Sequence, residues 1–170
     1  MDMFDIKESG LQINITSEGL GDIPEDGDVV LMHYEIWSGS GVTSSEYDHS
    51  KEEYVDDIYD STYDEKSPYS GPIEIIVGTE TPKVEIYTKG QSIKGIDEAL
   101  KSLRVGGKAE LLIPPSLAYG EEGASSFHTF HGYRTPPTMP TRCNVELVEI
   151  KSSLKEEKAV TDSGPAYEAL

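Results

Sequence analysis

Leu111-Leu112-Ile113-Pro114-Pro115-Ser116-Leu117-Ala118-Tyr119-Gly120 joins an apolar strand to a double-proline break and then sets a phenol at the rim of a turn. Ala109, Leu111 and Ile113 alternate with Lys108, Glu110 and Leu112, so the strand turns one face to a core. Two prolines in succession offer no N–H to a ladder, and the chain has to break there. An apolar wall followed by one aromatic hydroxyl suits a shallow pocket with a single polar handle, Tyr119.

Upstream of this wall, Ile96, Ala99, Leu100 and Leu103 fall on one stripe, which predicts a short helix over residues 96–103 stopped by Gly106 and Gly107. Asp97 and Glu98 fall in its first turn and Lys101 and Arg104 near its end, each sign complementing the helix dipole. The strongest strand signal is residues 28–37, where Val30, Met32, Tyr34 and Ile36 share one face and Val29, Leu31, His33 and Glu35 the other. Tyr34 then points to the core or pocket, and His33 to the surface.

Three further strands are expected, at residues 11–15, at 73–77 ended by Gly78, and at 143–150. Residues 38–58 are rich in Gly, Ser and acids without apolar periodicity, a long surface excursion; residues 79–90 are a second one, with a small extra strand at 84–87. Downstream of Gly120 lies an aromatic loop, Phe127-His128-Thr129-Phe130-His131-Gly132-Tyr133, closed by Pro136-Pro137. Residues 1–9 read as a flexible end and 151–170 as a polar tail or linker, leaving one domain over 10–150. Antiparallel strands around one short helix make an α+β fold.

With 32 acidic against 14 basic residues, the net charge of −18 argues against nucleic-acid and anionic membrane surfaces. The plain effect of the acids is solubility. The carboxylates of residues 46–57 lack the Asp-x-Asp-x-Asp-Gly spacing of a calcium loop, and His128 and His131 lack partners at metal-ligand spacing. Cys143, the one cysteine, excludes an intramolecular disulfide; with no signal-like start, a cytoplasmic setting is expected.

The ordered set Val30-Leu31-Met32-His33-Tyr34, Tyr59-Asp60-Ser61-Thr62, Ile93-Lys94-Gly95-Ile96-Asp97-Glu98-Ala99-Leu100, Ile113 to Gly120, Pro136-Pro137 and Val145-Glu146-Leu147 resembles the FKBP-type peptidyl-prolyl cis-trans isomerases in order and spacing. The resemblance spans about residues 10–150. It implies a twisted antiparallel sheet half-wrapped around the helix, with a proline pocket between them. Tyr34, Asp60 and Tyr119 would then be catalytic. Tyr59, Tyr69, Ile73, Ile93, Ile96, Ala118 and Cys143 would bind substrate, with Phe127, Phe130 or Tyr133 closing the pocket from the long loop. Ile93 would offer its N–H, and Asp60 would accept a hydrogen bond from Tyr34. No cofactor or metal is implied. The partners would be proline-containing peptides or proteins, and macrolide immunosuppressants at reduced affinity.

Four positions depart from the family pattern. Ile96 stands where a tryptophan usually underlies the proline ring, Cys143 where an aromatic is common, Glu65 where a basic residue is common, and Ile36 where glycine is usual. These departures keep open an alternative, a weakly active or inactive peptide-binding adaptor on the same fold.

Overall fold

The computed structural model describes residues 4–37, 46–48, 53–55, 58–66, 70–80, 90–121, 123, 138 and 140–152. Its strands are β1 (Asp5–Ile6), β2 (Gln12–Ser17), β3 (Val29–Trp37), β4 (Glu46–Asp48), β5 (Glu53–Val55), β6 (Ile58–Ser61), β7 (Ile73–Glu80), β8 (Gly90–Ser92), β9 (Lys108–Ile113) and β10 (Thr141–Ser152). Among the described residues, the helix α1 (Lys94–Leu100) lies between β8 and β9, and a 3-10 turn, Pro115–Leu117, follows β9. An eight-stranded sheet runs in the order β1-β2-β9-β10-β3-β7-β8, with β6 also paired to β3, while β4 and β5 form a separate hairpin.

Alternation along β3 and β10 decides which side becomes the core. Val30, Met32, Tyr34 and Ile36 are buried, as are Thr141, Cys143, Val145 and Leu147, and the residues between them are half-buried until β10 nears its end. The two strands pair antiparallel, Tyr34 opposite Val145 and Cys143 opposite Ile36, so both buried sets fall on one face. Leu11 and Ile13, then Ala109, Leu111 and Ile113, extend that face, and Ile96, Ala99, Leu100 and Leu103 cover it.

The helix is seven residues long, too short to persist alone, and is held by packing, with Gly95, Ile96, Asp97, Ala99 and Leu100 buried. It starts two residues before the expected stripe and ends at Leu100. Leu103 still reaches the core from the turn beyond, and Gly106 takes the left-handed conformation at φ +85°. Lys101 is therefore the C-cap rather than part of the last turn, and the Arg104 guanidinium donates to the Gly21 carbonyl at 3.2 Å.

Other boundaries shift for visible reasons. Strand β7 does not end at Gly78; that residue, at φ +84°, gives its N–H to the Asp97 carboxylate at 2.7 Å, and the strand continues to Glu80. Its neighbour β8 is parallel to it, the one parallel pairing among the described strands. Asp5 and Ile6 pair with β2 ahead of the expected start near Gly10, and the excursion over 38–58 contains the β4–β5 hairpin. Residues 84–87 and the tail beyond Ser152 lie outside the described residues. Among the described residues no helix is long and apolar enough to cross a membrane.

Candidate functional site

The site residues gather at one end of the covered sheet face because a glycine lets the helix touch the strand there. A Cβ on Gly95 would come within 2.3 Å of Ile113 Cγ2, so only glycine allows the first turn of α1 to sit on the end of β9. Ile93 is the N-cap, extended at φ −65° and ψ 151°, which keeps its N–H outside the helical ladder. Its side chain is 2% exposed, and Ile96, one turn on, is fully enclosed.

From Ile113 the chain enters Pro114 and the 3-10 turn, where the N–H groups of Ala118 and Gly120 return to the Pro115 carbonyl at 3.1 and 2.7 Å. Gly120 needs a left-handed conformation, φ +63°, to close this turn. The turn presents Ala118 half-buried against the core and Tyr119 at 9% exposure. Tyr119 accepts from Gly123 N–H at 3.1 Å, and Gly120 accepts from Thr138 N–H at 2.9 Å. The long loop thus leaves and returns beside Tyr119. Its Phe127, Phe130 and Tyr133 lie outside the described residues, as does Tyr69.

On the sheet, one cross-strand row runs Leu111, Cys143, Ile36, Asp60. Cys143 is fully buried within it, and Asp60 and Tyr59 lie on β6 beside β3. Ile73, opposite Met32, is half-buried against the core. Tyr34 is fully enclosed, and its backbone is pinned by Thr62. The Tyr34 N–H donates to Thr62 Oγ1 at 3.0 Å, and the Thr62 N–H donates to the Tyr34 carbonyl at 3.1 Å.

Thr62 was not singled out from sequence, although it closes the quoted Tyr59-Asp60-Ser61-Thr62 run; its role follows from β3–β6 register. Nor is His33 simply exposed. Its ring stacks on Tyr63 at 4.3 Å, and its Nδ1 lies 2.8 Å from Thr62 Oγ1. Glu65 is exposed.

The far side of the sheet carries a groove of about 340 Å3 whose lining includes Glu35, Tyr63, Lys108, Glu110, Arg142 and Glu146. Arg142 pairs with Glu110 at 3.1 Å and stands 4.7 Å over the Trp37 ring, while Lys108 lies 3.5 Å from Glu146. The Tyr63 hydroxyl donates to Glu146; partial burial and the nearby carboxylates of Glu146 and Glu35 push its pKa up. Among the described residues, none of the sequence-predicted site residues lines this groove. Among the described residues no group of three or more His, Cys, Asp or Glu side chains could hold a metal ion.

At this end Ile93, Ile96 and Tyr119 belong to the apolar core, half-buried Ala118 packs against it, and the Ile93 N–H stands outside the helix ladder. Such a surface can strip water from an apolar ring and hold its flanking amide, without a nucleophile or an ion.

Residues 21–148 match the family model described as FKBP-type peptidyl-prolyl cis-trans isomerase. The chain is 27% identical over 149 residues to the FKBP-type isomerase FkpA of Escherichia coli, covering 88% of this chain and 41% of that one. It is 32% identical over 143 residues to the E. coli FKBP-type 22 kDa isomerase, 84% of this chain and 51% of the relative. It is 31% identical over 127 residues to the isomerase FPR2 of Saccharomyces cerevisiae, 75% of this chain and 68% of the relative. The chain thus spans about half or less of the two bacterial relatives. Among solved structures, the N-terminal domain of FKBP42 from Arabidopsis thaliana superposes with a TM-score of 0.61 at 22% identity, covering 89% of this chain and 94% of that one. The crystal structure of E. coli FkpA gives 0.56 at 24%, covering 86% and 50%. At these identities the structural matches speak for the fold.

Proposed function

The chain belongs to the FKBP-type peptidyl-prolyl cis-trans isomerases, and from that we propose that its domain, residues 10–150, speeds rotation about Xaa-Pro bonds in peptides and proteins. Amide resonance sets a barrier of about 18–20 kcal/mol to that rotation, and the uncatalysed step takes tens to hundreds of seconds. As the bond twists, the amide loses its resonance dipole, so an apolar enclosure favours the twisted amide over the planar one. Each 1.4 kcal/mol of that preference, roughly, gives a tenfold acceleration.

The observation that carries this reading is that Ile93, Ile96 and Tyr119 share one apolar cluster with half-buried Ala118 packed against it, at the place where Gly95 lets the helix meet Ile113. In this account Ile96 floors the proline site, the Ile93 N–H and the Tyr119 hydroxyl hold the peptide in register, and Tyr34 and Asp60 polarise the opposite wall. Tyr59, Tyr69, Ile73 and Cys143 complete the binding surface, and Phe127, Phe130 or Tyr133 closes it. Without an indole under the proline ring, macrolides bind less tightly than to members that have one. The lone buried thiol, Cys143, suits a reducing compartment, and the cytoplasm is proposed as the setting, with assistance to folding chains as the role.

Refolding of a protein whose slow phase is set by a trans-to-cis proline tests this directly. Substoichiometric amounts of the chain should accelerate that phase and leave the fast phase unchanged; an unchanged slow phase would contradict the reading.

A further inference from the structure

The groove on the far side of the sheet is built by strand alternation and register. Glu35 belongs to the half-buried set on β3, between Tyr34 and Ile36, and Asn144 and Glu146 to the matching set on β10, so all three face away from the core. Glu35 stands directly across from Asn144, and Asn144 directly across from Glu110, which makes one row over β3, β10 and β9. His33, Glu146 and Lys108 form the next row on the same face.

The acids of this groove are unequally matched. Glu110 has the Arg142 guanidinium at 3.1 Å, and Glu146 has the Lys108 ammonium at 3.5 Å and the Tyr63 hydroxyl. Glu35 has neither hydrogen bond nor ion pair at its carboxylate among the described residues, and the side-chain amide of Asn144 opposite it has none either. Three carboxylates against two cations leave the lining acidic. The Tyr63 hydroxyl responds to that field: after burial and its bond to Glu146, the charges of Glu146 and Glu35 hold its proton on. Arg142 shows which cation suits such a surface, since its guanidinium pairs with Glu110 while lying 4.7 Å over the Trp37 ring.

We propose that this groove is a docking surface for a partner protein that places an arginine side chain against Glu35 and Asn144. The carboxylate and the neighbouring amide oxygen are adjacent acceptors, and a guanidinium carries its donors in a planar fork that engages both. A groove of about 340 Å3 admits that side chain. A second copy of this chain fits poorly, because each copy carries a net charge of −18 and the two repel. A metal ion fits no better, since among the described residues no group of three or more His, Cys, Asp or Glu side chains could hold one. The proline site lies on the covered face, so a partner docked here leaves it open, and the proposal stands apart from the isomerase reading.

The test titrates the full chain with the peptide acetyl-Ala-Thr-Arg-Thr-Ala-amide, and with its citrulline counterpart, which keeps the shape without the charge, while NMR follows the backbone amides. Shifts should saturate and centre on Glu35, Asn144 and Glu146, and the citrulline peptide should bind about three- to tenfold more weakly. Glu35→Gln should weaken the arginine peptide by a similar factor of roughly three to ten. Asp22→Asn removes the same charge at an exposed acid outside the groove and should change binding by less than about twofold. Shifts spread over the other acids, equal effects of the two substitutions, equal binding of the citrulline peptide, or no saturable binding would each overturn the proposal.

Discussion

Thr62 sets a pocket wall without belonging to a strand. The pairing of β6 with β3 ends at Ser61 opposite Glu35, and the next residue continues the ladder with its N–H and its side chain, clasping both backbone groups of Tyr34. The same hydroxyl reaches His33 Nδ1, so one side chain fixes both the enclosed phenol and the ring stacked on Tyr63 behind it. Thr62→Val keeps the shape and removes the oxygen, leaving a buried N–H unpaired. Urea unfolding should show a loss of about 1–3 kcal/mol, and peptide binding should weaken because Tyr34 shifts. An unchanged midpoint would show that water takes over the bond. From sequence, Tyr34 and the face it shares with Val30, Met32 and Ile36 were legible through period two alone. The clasp was not, since it depends on which residue of a distant segment falls opposite Tyr34.

At the scale of elements, α1 is positioned by contacts rather than by its own propensity. Gly95 costs helix stability yet permits the contact with Ile113, and Asp97 is taken up by Gly78 N–H and by Lys101 at 3.1 Å. Gly95→Ala should therefore destabilise by about 1–3 kcal/mol through overpacking and also raise the peptide Kd, because Ile93 and Ile96 move with the helix. Better helix propensity with no loss of stability would contradict this. Lys101 also bonds Asp26 at 3.0 Å; that bond first, and those to Asp97, raise its pKa. A raised lysine pKa stabilises fully below the unfolded value of about 10.4 and is lost as pH rises through the folded one. The urea midpoint should fall above that pH, and less so in Lys101→Met. The apolar stripe located this helix, but the run of β7 past Gly78 was hidden, because Gly78 gives its N–H to Asp97, nineteen residues away.

For the whole molecule, 14 cations cannot match 32 carboxylates, so at least 18 acids stay uncompensated. Ion pairs such as Lys101 with Asp26 and Arg142 with Glu110 favour low salt, whereas repulsion among the excess acids favours high salt. Exposed pairs contribute little each, so repulsion should win: raising NaCl from about 0.02 to 0.5 M should raise Tm. A falling Tm would mean that the pairs dominate. The acidic loops also made the chain harder to read, since residues 38–58 have no periodicity to reveal the β4–β5 hairpin, whereas the alternating strands and the Gly95–Ile113 end carried the fold plainly. The measurement closest to the central claim is NMR exchange spectroscopy on Xaa-Pro peptides with wild type, Asp60→Ala and Tyr119→Phe. Cis–trans exchange should run faster than the uncatalysed rate with wild type and slow in both variants, whereas peptide binding with exchange left at the uncatalysed rate would contradict catalysis.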